Sequence, residues 1–169
     1  MTVDEYLRIV RDLGWESTKL IEGVVYDVAP GYNRHMTTVI HVFRQLDAWF
    51  PANATCNTGS VRLGPFSLVD PDVFVLDVDV ALDPDDAVPA EAVKLVVEVS
   101  VTSHSCDRGP TLIAYARAGV PEVWLIDPTP DAGELVRFTT LDGASYRTVE
   151  RLEVGENAAT LDVSAIAAR

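Results

Sequence analysis

Thiols are scarce: Cys56 and Cys106 are the only cysteines in 169 residues. They lie far apart and outside any Cys-x-x-Cys pattern, so neither a disulfide framework nor a zinc site is signalled. Basic residues are also few, 13 Lys and Arg against 26 Asp and Glu, for a net charge of −13 at pH 7. No basic run occurs, which removes the electrostatic footprint most nucleic-acid binders carry. A nucleic-acid role then needs a local cluster, a basic partner or metal ions to offset the field. No apolar stretch approaches membrane-spanning length, and Thr2-Val3-Asp4-Glu5 is not a basic and then hydrophobic leader, so the expectation is a soluble cytoplasmic protein. Repeats and low-complexity tracts are absent too. With 48% of residues apolar, the chain reads as one globular domain over residues 1–169 with a real core.

What is present is a pair of apolar strands that carry carboxylates. Leu95-Val96-Val97-Glu98-Val99 is hydrophobic on both alternating faces, the pattern of a central strand covered on both sides. An ionised Glu98 there costs several kcal/mol, of order, unless a cation, a metal or a set of donors compensates it. Asp70-Pro71-Asp72-Val73-Phe74-Val75-Leu76 reads as the second strand, with Asp72 at its entrance, where ordinary pairing can bring it beside Glu98. Two hard oxygen ligands on neighbouring strands describe a divalent-cation site completed by waters and a phosphate substrate. The bland alternatives stay open: Glu98 satisfied by backbone donors, Arg108 or Lys94, and Asp72 as turn chemistry beside a proline.

The flanking segments read as support. Asp4 to Leu13 is an amphipathic helix with Tyr6, Leu7, Val10 and Leu13 on one face and Gly14 as its stop. Residues 19–28 form a hairpin turning at Glu22-Gly23. Asn33 is the expected N-cap of a helix to about Phe50, with Met36, Val39, Ile40, Phe43, Leu46 and Phe50 as its apolar face and Pro51 as its end. Thr55 to Leu63 reads as one extended strand, and Asp83-Pro84-Asp85-Asp86 as a solvated loop. A helix from Asp107 to Ala118 joins the Glu98 strand to Val123–Asp127, a crossover that makes those strands parallel. The tail reads as a hairpin around Leu141-Asp142-Gly143-Ala144, then a short helix over 161–168. Ser103-His104-Ser105 with Asp127 invites a hydrolase triad, but no Gly-x-Ser-x-Gly elbow is present and the chain order does not support one.

Asp70-Pro71-Asp72, Val97-Glu98-Val99, Asp107-Arg108-Gly109 and the run from Tyr115 to Asp127 resemble the Uma-type endonuclease family of the PD-(D/E)XK, or restriction-endonuclease-like, superfamily. Leu20-Ile21-Glu22-Gly23 and His35 extend the likeness over most of the chain. The resemblance implies an α/β fold, a mixed β-sheet flanked by helices with a C-terminal β-hairpin. It also implies Asp72 and Glu98 as ligands of Mg2+ or Mn2+, and hydrolysis of DNA phosphodiester bonds by activated water. Glu22 and His35 match accessory active-site positions, and a homodimer enters only as an implication of the superfamily.

One departure bears on activity. The family's motif lysine falls, in this chain, on Thr111, which can hydrogen-bond water but supplies no positive charge. By fourfold spacing Asp107, Thr111 and Tyr115 share a helix face. Tyr115 could order a phosphate or pack with its hydroxyl at the rim. Lys94 shares a strand face with Glu98 at roughly 13 Å, and Arg108 can clamp phosphate without acting as a base. Two expectations follow: a metal-dependent endonuclease using Asp72, Glu98, Glu22, His35, Thr111 and Tyr115, or a scaffold that has lost catalysis and serves as a binding or oligomerisation module.

Overall fold

The computed structural model describes residues 1–14, 17–28, 33–100, 107–128 and 134–153. In chain order the elements are α1 (Val3–Leu13), β1 (Thr18–Ile21), β2 (Val24–Asp27), α2 (Asn33–Trp49), β3 (Thr55–Cys56), β4 (Val61–Gly64), β5 (Ser67–Val69), β6 (Val73–Leu76) and β7 (Val88–Pro89). A short 3-10 turn over Ala90–Ala92 leads into β8 (Val93–Val99), followed by α3 (Leu112–Ala118), β9 (Val123–Asp127), β10 (Glu134–Asp142) and β11 (Ser145–Glu153). Where one mixed sheet was expected, the strands form two. Five order as β2-β1-β5-β4-β7, and six as β11-β10-β9-β8-β6-β3.

Local chemistry accounts for most boundaries. Thr2 and Glu5 form a reciprocal capping box that starts α1, and Gly14 in the left-handed region ends it by donating to Val10 O. Leu13, expected on the buried face, is 65% exposed; Val3 and Tyr6 are the buried residues, against Leu20 and Leu68. The hairpin turns at Glu22-Gly23 as read, both residues at positive φ (50° and 79°), as a two-residue primed turn demands. In α2 the apolar stripe is displaced from the expected one. Val42 and Leu46 are buried with Val39, Phe43, Trp49 and Phe50 packed around them, whereas Met36 and Ile40 face solvent. Asn33 is the first helical residue rather than a flanking cap.

One expected strand is broken between the sheets, and another starts later than expected. Thr55-Cys56 pairs with β6 in the large sheet, whereas Val61–Gly64 pairs with β5 and β7 in the small one. Likewise, Ser67–Val69 belongs to the small sheet and Val73–Leu76 to the large, so Asp70-Pro71-Asp72 is the corner at which the chain crosses from one to the other. Proline favours such a corner because it fixes φ and asks for no hydrogen-bond acceptor.

β8 lies inside the large sheet, antiparallel to β6 and parallel to β9, the crossover arrangement expected. Its odd positions Leu95, Val97 and Val99 pack with Val42 and Leu46 of α2. On the other face Val96 packs with Ala114 and Tyr115 of α3 and with Ile21, Val61 and Val69 of the small sheet. Covering on both faces is what permits a strand this apolar. The expected tail hairpin forms between β10 and β11 around Gly143-Ala144, with Leu141 and Asp142, expected in the turn, included in β10. The acidic loop at Asp83–Asp86 is exposed as expected, with Asp86 paired to Arg62 at 3.3 Å. Residues 103–105 and 161–168 lie outside the described residues.

Candidate active site

Glu98 occupies the penultimate position of β8 and is 8% exposed. Tyr115 lies one helical turn beyond Thr111, and its hydroxyl donates to Glu98 Oε1 at 2.6 Å. A short O–H to carboxylate bond in so dry a setting is a strong one, and it holds the carboxylate in one orientation. Tyr115 is itself buried. It therefore positions Glu98 from within the core, and the expected placement of its hydroxyl at the rim does not hold.

Asp72 stands one residue before β6. The β6–β8 ladder pairs Val73 with Val97, and continuing it by one residue sets the backbone position of Asp72 opposite that of Glu98. Its Oδ2 accepts the Val99 N–H at 2.7 Å. Its Oδ1 lies 3.0 Å from His35 Nε2, delivered by the first turn of α2. His35 is thus half-buried against Asp72. The corner that carries Asp72 between sheets leaves its carboxylate able to reach both the strand end and the helix start.

Other expected members distribute differently. Glu22 pairs with Arg117 of α3 at 3.0 Å, while its backbone N–H donates to Ser67 Oγ; it ties the small-sheet hairpin to the outer side of α3. Lys94 is 49% exposed and pairs with Asp77 at 3.2 Å, near the opposite end of β8 from Glu98. It does not serve as the replacement cation that the sequence left open. Thr111 is fully buried. The regular helix assumed from Asp107 onward is interrupted, because Asp107–Thr111 forms a wide π-type turn with Gly109 at φ −114°, ψ −107° and Pro110 within it. Fourfold spacing therefore relates Thr111 to Tyr115 but does not carry back to Asp107; the side chains of Asp107 and Arg108 lie outside the described residues.

Sequence reasoning missed the two donors that orient the pair, the Val99 N–H and the Tyr115 hydroxyl acting on Glu98. The first is a backbone group and leaves no residue-type signal. The second was within reach, since a tyrosine on the covering face of a crossover helix beside a buried acid is a natural donor. Among the described residues no cluster of three or more His, Cys, Asp or Glu side chains gathers as a metal cage. The donor set nevertheless fits a hard dication of the magnesium type, which takes one or two carboxylates and completes its shell with water and phosphate oxygens. Both candidate ligands are carboxylates on adjoining strands, each oriented by a hydrogen-bond partner.

Replacing Tyr115 by Phe tests the clasp. Loss of a buried hydrogen bond to a carboxylate should cost about 1.5–3 kcal/mol of stability. Loss of an orienting group should weaken Mn2+ binding by about 10–100-fold in calorimetry. Unaltered Mn2+ affinity alongside lowered stability would assign Tyr115 to packing alone.

Two mixed sheets with helices packed on them, and an acid pair at the ends of adjoining antiparallel strands, define an α/β protein of the nuclease fold class. The same fold appears in a crystal structure described as "a putative nuclease belonging to DUF820" from Anabaena variabilis ATCC 29413. That likeness has a TM-score of 0.66 at 14% identity, over 90% of this chain and 84% of that one. Residues 3–166 match the family model of Uma2, described as "Putative restriction endonuclease", and the chain belongs to that family. No curated protein matches the sequence.

Proposed function

We propose that this chain is a metal-dependent endonuclease that hydrolyses DNA phosphodiester bonds, with Asp72 and Glu98 as the ligands of Mg2+ or Mn2+. The observation that carries the reading is the register of the β6–β8 ladder, which continued by one residue makes Asp72 and Glu98 neighbouring positions, each carboxylate accepting a hydrogen bond. Membership in a family described as "Putative restriction endonuclease" supports it. A divalent cation, when bound, supplies Lewis-acid polarisation of a phosphoryl oxygen and lowers the pKa of water. The chain's own residues do the positioning. Val99 N–H and His35 fix Asp72, Tyr115 fixes Glu98, and packing on both faces of β8 keeps bulk water from Glu98. His35, beside Asp72, is a group able to exchange a proton with a leaving oxygen.

A second reading, a non-catalytic binding or oligomerisation module, is favoured by a specific observation: Lys94 is engaged with Asp77, and by the resemblance the motif lysine falls on Thr111. Thr111→Lys separates the two. An added ammonium aimed at a phosphate should raise manganese-dependent plasmid nicking by about 10²-fold. Because position 111 is fully buried, Mn2+ binding is measured on the same preparation to confirm that the site survives. No gain in nicking with metal binding intact favours the module.

A further inference from the structure

How a chain of net charge −13 holds a polyanion is a question the acid pair does not answer. Most described cations are committed to carboxylates. Arg62 pairs with Asp4 and Asp86, Lys94 with Asp77, Arg117 with Glu22, and Arg137 with Glu122 and Glu150. Arg147 and Arg151 pair with Asp142 and Glu134. Each would have to surrender an ion pair to take a phosphate. On α1, Arg8 donates to the Asp4 carbonyl, and the helix holds more acids than bases.

α2 differs. It carries two arginines and two histidines against one aspartate. Arg34 and Arg44 are exposed, and among the described residues neither has a carboxylate within ion-pairing distance. The spacing 34, 37, 41, 44 aligns Arg34, Thr37, His41 and Arg44 as one stripe along the helix. Ten residues of helix separate the arginines by about 15 Å, about four base-pair steps of 3.4 Å. The stripe starts at the turn that brings His35 to Asp72, so a phosphate backbone laid along it arrives at the acid pair.

Resting on the nuclease reading, we infer that this stripe of α2 is the track that holds the phosphodiester backbone of the substrate, with Arg34 and Arg44 as its phosphate contacts. Recognition of this kind is independent of base sequence and sensitive to salt. The test is fluorescence anisotropy with labelled duplex DNA and a matching RNA, in calcium to keep the strands uncut, at several salt concentrations. R34A/R44A should bind about tenfold more weakly and lower the slope of log Kd against log salt by about 2, while R34K/R44K keeps both. Thermal melts of the variants should match the parent, since both side chains are exposed. Whichever polymer binds more tightly, with the same dependence on the arginines, names the substrate strand. Equal affinity and slope for R34A/R44A and the parent overturn the track and leave the nuclease reading standing. A parent chain that binds neither polymer overturns both.

Discussion

Asp72→Asn should abolish binding of Mg2+ or Mn2+ in calorimetry and reduce any metal-dependent cleavage by at least about 10²-fold. The substitution is nearly isosteric, and its amide oxygen can still accept the Val99 N–H now bonded to Oδ2. What disappears is the negative charge of Asp72, and an amide nitrogen is then forced either on His35 or on the cation. Stability should change little, which separates this result from simple unfolding. Unchanged metal binding in Asp72→Asn would end the assignment of the site, whatever the nicking assay shows.

Phe74→Ala should lower stability by about 3–5 kcal/mol, the ordinary range for truncating a buried phenylalanine. Phe74 is two residues from Asp72 on β6, and it packs in the core shared by α3, the small sheet and the inner face of β8. Its ring also lies 3.5 Å from the place a Cβ on Gly59 would occupy, so the neighbouring crossover is built closely around it. Denaturant melts should show a lower midpoint with an unchanged slope, and Tm should fall by about 10 °C. A loss under about 1 kcal/mol would mean that the site collapses around the missing ring, and that the two sheets are not held together through this contact.

Legibility in the sequence followed the range of the interaction concerned. The Glu22-Gly23 hairpin, the Gly14 stop of α1, the tail hairpin and the β8–α3–β9 crossover were readable, because each depends on residues a few positions apart whose steric demands are fixed by residue type. The break within Thr55–Leu63 and the corner at Asp70–Asp72 were not, since an apolar run states that it will be buried but not in which of two sheets. The α2 stripe shifted for a related reason: Met36 and Ile40 fit the helical period as well as Val42 does, and only the position of the large sheet decides which side is covered. At Asp107–Thr111 the signal was present in Gly109-Pro110 and was overridden by the regular spacing on either side.

At the site, the sequence alone determined that Glu98 sits in a strand too apolar to tolerate a carboxylate without compensation, and that Asp72 heads a second strand able to pair beside it. Both conclusions are matters of desolvation and periodicity, which are local. Only the tertiary structure decided what compensates them: a backbone N–H and His35 at Asp72, and the Tyr115 hydroxyl at Glu98. It decided as well that Glu22 and Lys94 turn to Arg117 and Asp77. Hydrogen bonds and ion pairs require polar atoms about 3 Å apart on residues remote in sequence, and such contacts exist only once two sheets and their helices have packed.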